Sequence, residues 1–282
     1  RILIGVCSCR KHAGKRAAIR ETWMSESVEG IEAVFFVGGK GELKGEEDTV
    51  VVEEPTDNYE YLPSKVRAFF RHALEEHEFD WIFKCDDDTY TALSRIHDLV
   101  DNEFDIIGNQ CLTDRGAPSG GAGYFLNRKF VEKLVADESL PLTGDEDIII
   151  GRAAILHGAR PKSTPRLRLD ASLFPKQDNN IVSAHWCSID RMKAIHAIFT
   201  TKPSHTIHVR HPLWNDSVSL YENGTFKRNG SGCCGTWALR NGRNLSLHWF
   251  DWEAESFLPS SSCPENSTIE QYNTYVLNAT SP

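Results

Sequence analysis

An α/β fold, with a mostly parallel sheet flanked by helices, is the class that this sequence predicts for residues 1–203. The first observation behind it is that short apolar strand signals alternate with helical signals along this range. The second is a change of pattern after residue 203, where short alternating segments are separated by two Asn-Gly turns, at 223–224 and 241–242. We therefore predict a second domain at 204–282, a small antiparallel β appendage with an irregular tail.

The first third of the chain predicts four strands and two helices. The second helix has Pro63 near its start, and Val66, Phe69, Phe70 and Leu74 lie on one apolar stripe. That stripe predicts a helix with one buried face. The predicted strands are 2–7, 33–37, 50–52 and 81–84, and the predicted helices are 14–23 and 63–74.

Beyond residue 90 the alternation continues. An apolar periodic stretch at 95–100 predicts a helix soon after the fourth strand, and 106–108 predicts a short buried strand. A glycine-rich turn at 120–124 leads into an apolar segment, and 146–156 predicts a further helix. This succession supports the α/β class over the whole of the predicted first domain.

Composition and charge exclude some classes of function. The chain has 282 residues, 40% of them hydrophobic and 25% charged, with a formal net charge of −9. This balance argues against a protein that binds nucleic acid through a broad basic surface, and it fits a neutral or small anionic ligand held in a local basic pocket. The sequence does not indicate the oligomeric state.

The sequence contains no run of 18 or more apolar residues, so it predicts no membrane-spanning segment. The chain starts at Arg1 and runs at once into a strand signal. We therefore expect that an N-terminal segment, such as a membrane anchor or a signal, was removed, and that any link to a membrane is through that anchor.

Cysteines and glycosylation sequons bear on the compartment. No paired C-x₂-C set appears among the eight cysteines, and we interpret Cys7, Cys85 and Cys111 as buried free thiols. Six N-x-[ST] sequons all follow residue 210, which indicates either a glycosylating lumen or a region rich in turn residues. They lie at Asn215, Asn223, Asn229, Asn244, Asn266 and Asn278.

Three consecutive carboxylates, Asp86, Asp87 and Asp88, follow the strand signal at 81–84. Adjacent negative charges repel one another at the end of a buried strand, and a divalent cation such as Mg²⁺ or Mn²⁺ would cancel that repulsion. In open α/β sheets the carboxyl ends of strands are also where ligands bind. The alternative interpretation is that Asp88 or Thr89 caps the helix predicted next.

Five further segments accompany the acidic triplet in a defined order. Residues 16–23 read Arg-Ala-Ala-Ile-Arg-Glu-Thr-Trp, 57–65 read Asp-Asn-Tyr-Glu-Tyr-Leu-Pro-Ser-Lys, 120–124 read Gly-Gly-Ala-Gly-Tyr, 146–151 read Glu-Asp-Ile-Ile-Ile-Gly, and 182–192 read Val-Ser-Ala-His-Trp-Cys-Ser-Ile-Asp-Arg-Met. In this order and spacing the segments resemble glycosyltransferase family 31, a family of inverting β1,3-galactosyl- and β1,3-N-acetylglucosaminyltransferases. The resemblance covers about residues 1–200 and implies the GT-A fold, a UDP-sugar donor and a glycan or glycoconjugate acceptor.

The resemblance also implies a metal site. Asp88 would be a direct ligand of Mn²⁺ or Mg²⁺, with Asp86 nearer the ribose, and the ion would bridge these carboxylates to the diphosphate. His185 falls where the metal-binding histidine of the family lies. The alternative for His185 is a core histidine satisfied by hydrogen bonds.

The donor site is predicted from the basic residues of the first helix and from the second motif. Arg16 and Arg20 follow the first strand, where a cation can hold uracil or phosphate oxygens, and we expect Arg20 to be the more buried; the alternative is a solvated helix face. In the family the turn between Asp57 and Lys65 touches the nucleotide, whereas the alternative is a capping aspartate and a surface lysine. Further donor contacts are implied for Asp86, Asp87, Gly121, Ala122, Gly123 and Tyr124.

Asp147 is the expected catalytic base. Inverting transfer is a single displacement, in which a carboxylate takes the proton of the attacking acceptor hydroxyl. The resemblance assigns this role to Asp147, with Glu146 orienting it or binding acceptor hydroxyls. The alternative is an acidic first turn of the helix at 146–156, since Asp145 is acidic as well.

Several readings of function remain. We expect transfer of galactose from UDP-galactose in β1,3 linkage; the alternatives are transfer of N-acetylglucosamine, or an inactive glycan-binding protein of the same fold. A phosphatase with a D-x-D-x-[TV] motif is disfavoured because Tyr90 occupies the fifth place. The aromatic residues of the appendage are interpreted as its core, and the alternative is a sugar-stacking face. They are Trp214, Tyr221, Phe226, Trp237, Trp249, Phe250 and Trp252. The expected compartment is the Golgi lumen in a eukaryote, or the cytoplasm in a bacterium.

Overall fold

The computed structural model describes residues 1–41, 43–53, 56–111, 116–171, 180–211, 214–240 and 244–250. These form two compact units, which are considered separately. The first unit contains residues 1–171 and 180–187, and the second contains the described residues from 188 onward.

The first unit begins with four parallel strands and two helices, as the sequence predicts. Strand β1 lies between β2 and β4 and is parallel to both, and its last residue, Cys7, is level with Phe36 and Asp86. The carboxyl ends of these strands therefore lie at the same edge of the sheet. The elements are β1 (Ile2–Cys7), α1 (Ala13–Glu21), β2 (Ile31–Gly38), β3 (Thr49–Val52), α2 (Leu62–Glu76) and β4 (Trp81–Asp86).

The rest of the first unit completes a seven-stranded sheet and adds a small second sheet. The further elements are β5 (Tyr90–Thr91), β6 (Ile106–Gly108), β7 (Tyr124–Asn127), α3 (Arg128–Ala136), α4 (Glu146–Leu156), β8 (Pro161–Ser163), β9 (Leu167–Arg168) and β10 (Ser183–Ala184). The main sheet has the order β3-β2-β1-β4-β7-β6-β8, and only β7 runs antiparallel to its neighbours. This confirms the predicted mostly parallel sheet.

The apolar stripe of α2 forms part of the core beneath the main sheet. Val66, Phe69 and Phe70 are buried, and the ring of Phe69 stacks on Phe36 of β2 with centroids 4.2 Å apart. A Cβ at Gly5 of β1 would overlap the ring of Phe69, so glycine there lets helix and sheet approach closely. The apolar stripe predicted from the sequence is thus the buried face of α2.

The helix predicted directly after the acidic triplet differs in the structure. Tyr90–Thr91 pair with β10 as strand β5, and a 3₁₀ helix at Leu93–Leu99 begins only after Ala92, without a side-chain cap. The hydroxyl of Thr89 instead donates to the carbonyl of Gly121. The capping interpretation of Asp88 and Thr89 is therefore wrong, because strand pairing takes up the residues between them and the helix.

The second unit consists of one helix and an antiparallel sheet. Five strands follow one another as neighbours, with the buried side chains of Phe226 and Trp249 meeting edge to face at 4.6 Å. The aromatic-core interpretation of the appendage is thus confirmed for these two residues; Trp252 lies outside the described residues. The elements are α5 (Ile189–Thr200), β11 (His205–His211), β12 (Trp214–Leu220), β13 (Thr225–Arg228), β14 (Cys234–Arg240) and β15 (Asn244–Trp249).

The sequence predicts a domain boundary at residue 203, between helix α5 and strand β11. Helix α5, which precedes that boundary, packs against β13 and β14 and so groups with the second unit. The Asn-Gly turn at 223–224 joins β12 to β13, and Gly224 has a φ of +81°. The second such turn, at 241–242, lies outside the described residues.

Cys7, Cys85 and Cys111 are buried and free, as predicted, and burial raises the pKa of Cys7 and of Cys111 to about 12. Such thiols are unreactive near neutral pH.

A membrane span requires a minimum length and hydropathy of a helix, and none of the helices of the described residues meets both.

Candidate functional site

The small sheet brings together two segments that are about a hundred residues apart in sequence. Strand β10 pairs with β5, and beyond the paired residues the amide of Cys187 donates to the carbonyl of Asp88 at 2.8 Å. The amide of His185 donates to the carbonyl of Arg168 at 3.0 Å. These bonds place His185 beside the acidic triplet at the end of β4.

Asp86, Asp88 and His185 converge, and we name them the Asp-Asp-His cluster. One ligand atom from each lies within 4.8 Å of the others. His185 Nε2 is 3.2 Å from Asp88 Oδ1 and 3.9 Å from Asp86 Oδ2. The other oxygen of each carboxylate is held by a lysine: Lys84 Nζ is 2.8 Å from Asp86 Oδ1, and Lys15 Nζ is 3.3 Å from Asp88 Oδ2. The two lysines thus fix the carboxylates with one oxygen facing the imidazole.

The charge state of Asp88 follows from these neighbours. Burial acts to raise the pKa of Asp88, but the hydrogen bond with His185 and the charge of Lys15 outweigh it and lower that pKa to about 2. Asp88 is therefore ionised at neutral pH. An ionised carboxylate is the form that binds a cation.

The Asp-Asp-His cluster fits a hard or intermediate divalent cation. Two ligand atoms that share one ion at about 2.1 Å lie roughly 3–4 Å apart, which is the range observed between the imidazole and the carboxylates. Carboxylate oxygens suit Mg²⁺ and Mn²⁺, and an imidazole nitrogen favours a transition metal. The residues present therefore fit Mn²⁺ well.

The middle carboxylate of the triplet has a different environment. Asp87 is 5% exposed, and it accepts hydrogen bonds from Ser8 Oγ at 2.8 Å and from Lys15 Nζ at 2.8 Å, while His12 Nδ1 lies 2.8 Å away. Asp87 thus ties the end of β4 to the start of α1. Its predicted donor contact stays a prediction.

The glycine-rich turn packs against the Asp-Asp-His cluster. A Cβ at Gly121 would overlap the imidazole ring of His185, so only glycine leaves that ring in place. The carbonyl of Gly121 accepts from Thr89 Oγ1 at 2.7 Å, and that of Ala122 accepts from Ser183 Oγ. Gly123 has a φ of +92°, which favours glycine. The turn is therefore held by the same segments that carry the cluster.

The two acidic residues at the start of α4 differ sharply in exposure. Glu146 is 4% exposed, accepts a hydrogen bond from the Tyr124 hydroxyl and lies 3.5 Å from Lys84 Nζ. Burial raises the pKa of Glu146, although the charge of Lys84 opposes the shift. Asp147 is half-buried and its Oδ2 accepts from the amide of Gly120 at 3.2 Å. Both oxygens of Glu146 thus face partners inside the protein, and its predicted roles, orienting Asp147 or binding acceptor hydroxyls, stay predictions.

The arginines of α1 take part in an ion-pair network that we define as Arg16, Arg20, Glu46 and Asp48. Arg16 binds both oxygens of Glu46, at 2.6 and 2.8 Å, and Arg20 bonds to Asp48 at 2.6 and 2.8 Å and to Glu46 at 2.7 Å. Arg16 is fully buried whereas the side chain of Arg20 is 31% exposed, so the expectation that Arg20 is the more buried is wrong. Arg16 projects into the unit because Ser8, Cys9 and Glu46 all accept its hydrogen bonds.

The second motif also folds inward. Lys65 is buried, and its Nζ lies 2.6 Å from Asp57 Oδ1 and donates to the carbonyl of Ser8. Asp57 further accepts from the amides of Arg10 at 2.7 Å and Gly38 at 2.6 Å. The surface-lysine alternative is therefore wrong, and the pair fastens the ends of β1 and β2. Nucleotide contacts by Asp57 and Lys65 stay a prediction.

Two residues of the site were missed in the sequence. Lys84 is fully buried, donates to Gly120 O at 3.1 Å and links Asp86 to Glu146. Its signal was a charged residue inside an otherwise apolar strand, which needs a buried counter-ion. Lys15 had no such signal, because a lysine in an amphipathic helix is most often solvated.

Comparisons with known proteins agree with the motifs. The galactosyltransferase family model matches residues 14–113. A probable beta-1,3-galactosyltransferase 13 of Arabidopsis thaliana is 30% identical over 118 residues, which cover 36% of this chain and 34% of the relative. A glycoprotein-N-acetylgalactosamine 3-beta-galactosyltransferase 1 of Xenopus laevis is 33% identical over 104 residues, covering 33% of this chain and 29% of the relative. The chain thus spans about a third or less of the length of these relatives.

Solved structures resemble this chain only loosely. A glycosyltransferase involved in glycosylation of the major capsid of PBCV-1 has a TM-score of 0.48 at 14% identity, covering 69% of this chain and 98% of that one. At this score the likeness carries no argument, so the fold assignment relies on the sheet order described above. The family resemblance inferred from the six segments is confirmed by the sequence matches.

Proposed function

We propose that this chain, which matches the galactosyltransferase family model over residues 14–113 and is similar to β1,3-galactosyltransferases, transfers galactose from UDP-galactose to a sugar hydroxyl of a glycan acceptor, in β1,3 linkage and with inversion. One observation carries the proposal. Consecutive residues of the glycine-rich turn contact the two parts of the site, since Gly120 donates to Asp147 and Gly121 lies against His185. The Asp-Asp-His cluster and the half-buried carboxylate of Asp147 thus contact adjacent residues of the same turn.

The cluster would act on the leaving group. A divalent cation bound by Asp86, Asp88 and His185 would supply charge stabilisation for the departing diphosphate. Lys15 and Lys84 hold the outer oxygens of the two carboxylates, so the inner oxygens stay oriented towards the imidazole. Carboxylates that the protein itself holds in one orientation lower the cost of reaching the transition state.

Asp147 would act on the acceptor. Its side chain, which is only half-buried, would take the proton of an acceptor hydroxyl that attacks the anomeric carbon. The amide of Gly120 bonds to Oδ2 and so orients the side chain. Glu146, paired with Lys84 and Tyr124, anchors the first turn of α4 and so positions its neighbour.

The metal ion and the cellular compartment are part of the same proposal. We favour Mn²⁺ as the ion because the ligand set includes an imidazole. The named relatives come from Arabidopsis thaliana and Xenopus laevis, which favours the Golgi lumen of a eukaryote over a bacterial cytoplasm.

A donor screen tests this function. UDP release from UDP-galactose, UDP-N-acetylglucosamine and UDP-N-acetylgalactosamine is measured with Mn²⁺ present, for the wild type and for Asp147→Asn. We expect UDP-galactose to be preferred, and Asp147→Asn to bind UDP-galactose normally while transfer falls by about 10²–10⁴-fold. Full turnover by Asp147→Asn would refute the base assignment. Binding of every donor without release from any would indicate a glycan-binding protein.

A further inference from the structure

Trp186, next to the cluster residue His185, is an outlier in both backbone and exposure. Its φ of +53° makes it the one non-glycine residue with a positive φ in the described part of the chain. Its side chain is 66% exposed, although its flanking segment is buried at Ala184 and Cys187. A left-handed backbone is costly for a bulky residue, and such strain concentrates at sites of function.

The backbone on both sides of Trp186 is fixed. His185 donates its amide to Arg168, and Cys187 donates its amide to the carbonyl of Asp88. Both neighbours are therefore tied to segments of the site, and the strained residue between them has little freedom to relax. The strain is thus imposed by the same bonds that place His185 beside Asp88, and it holds the indole towards solvent.

The indole lies at the solvent side of the site. Its ring centroid is 5.4 Å from that of His185, with an angle of 32° between the planes. The glycine-rich turn on which His185 rests is buried throughout, from Gly120 to Tyr124. Donor diphosphate would be held by the ion, so an uncharged aromatic surface facing solvent is better suited to the second substrate.

We propose that the indole of Trp186 is a platform for the acceptor, on which the apolar C–H face of a pyranose ring stacks. This inference rests on the proposed transferase function. A pyranose has one face rich in C–H groups, and a flat, exposed aromatic ring buries that face without having to desolvate a charge. The platform selects a sugar ring as the acceptor and orients it next to the ion-bound donor.

Two variants test the platform, Trp186→Gly and Trp186→Phe, in the full chain. The acceptor probes are methyl β-D-galactopyranoside and methyl N-acetyl-α-D-galactosaminide, at saturating UDP-galactose and Mn²⁺. Binding of each probe is also followed by saturation-transfer NMR, which does not require turnover. We expect Trp186→Gly to raise the acceptor KM and Kd about tenfold and Trp186→Phe to change them less than about threefold, since phenylalanine keeps a flat ring.

Stability gives a second, independent readout. Glycine accepts a positive φ without strain, so Trp186→Gly is expected to melt at the same temperature as the wild type or higher. A structural role for the ring would instead lower the melting temperature. Unchanged acceptor binding in Trp186→Gly would overturn the platform, and so would a weaker affinity for UDP alone, which would place the ring on the uracil.

Failure of the platform and failure of the proposed function can be told apart. If the wild type with Mn²⁺ releases UDP from UDP-galactose while Trp186→Gly binds both probes as tightly as the wild type, only the platform is refuted. If the wild type neither binds nor cleaves any UDP-sugar, the proposed function fails first.

Discussion

Two groups of charged side chains in the first unit show opposite designs. In the ion-pair network, Glu46 has both oxygens bound by arginine, and Asp48 is bound by Arg20. In the Asp-Asp-His cluster, each carboxylate has one oxygen held by lysine and the other turned towards its neighbours. The network is satisfied within the protein, whereas the cluster gathers like charges around a shared space.

The difference separates a structural role from a ligand-binding role. Charges that find all their partners inside the fold stabilise it and have little left for a substrate. Carboxylates that face one another and an imidazole gain most from a cation brought from outside. Sequence motifs place arginines and aspartates alike in the donor site, but the structure gives the two sets different partners.

The largest expected effect is at the cluster. Asp88→Ala removes an inward-facing oxygen, so Mn²⁺ affinity and UDP-galactose turnover should both fall, turnover by at least about 10²-fold. Electron paramagnetic resonance of free Mn²⁺ measures the affinity. The control is Asp87→Asn, whose carboxylate is bound by Ser8 and Lys15; it should keep Mn²⁺ binding and lose stability instead. Equal loss of Mn²⁺ binding in both variants would contradict the assignment of Asp88 to metal binding and of Asp87 to a structural role.

A smaller effect is expected at the ion-pair network. Glu46→Gln leaves the buried guanidinium of Arg16 without its counter-ion and should lower the free energy of unfolding by about 2–3 kcal/mol at neutral pH. Glu47→Gln, on an exposed neighbour, is the control. Chemical denaturation measures both. If Glu46→Gln lost UDP affinity rather than stability, the network would belong to the donor site.

The same network predicts a dependence on pH. Hydrogen bonds from Arg16 lower the pKa of Glu46 from its usual 4.5 to about 2, against an opposing effect of burial. A carboxylate with a lowered pKa stabilises the fold above its unfolded value, and this contribution is lost as the pH falls from about 4.5 towards 2. Glu46→Gln should therefore show a shallower loss of stability than the wild type over that window.

The smallest effect is expected at the glycine-rich turn. Gly121→Ala pushes the His185 ring away from Asp88 and should weaken Mn²⁺ binding about tenfold, as for residues that orient a ligand. Gly14→Ala is the control, because a Cβ there meets no atom within 4 Å and the residue lies in α1. Unchanged Mn²⁺ affinity in Gly121→Ala would show that His185 is not a ligand.

Much of the fold was predictable because it is encoded locally. The apolar run at 2–7 and the stripe of Val66, Phe69 and Phe70 specify β1 and the buried face of α2 without reference to distant residues. The segment at 95–100 was predicted as part of a helix that starts directly after the triplet, but it lies in a 3₁₀ helix that starts at Leu93. The prediction missed the pairing of Tyr90–Thr91 with Ser183–Ala184, because those residues are about ninety positions apart in the sequence.

The candidate site was predictable in its members and less so in their roles. The triplet and His185 were selected by motif, and the structure brings Asp86, Asp88 and His185 together. Exposure could not be deduced from the sequence, since Glu146 and Asp147 are adjacent in one motif. One of them is locked by Lys84 and Tyr124, whose positions depend on the strand order.

The sequence by itself determined the strands and helices up to β4, the acidic triplet after a buried strand and the family resemblance, because each is a pattern of nearby residues. The tertiary structure decided which carboxylate oxygens face inward, that Arg16 is more buried than Arg20, that Asp147 is less buried than Glu146 and that Trp186 faces solvent. These features depend on side chains that lie tens of residues apart, such as Lys15 beside Asp88 or Gly121 beside His185. Their contacts exist only once the sheet has been assembled.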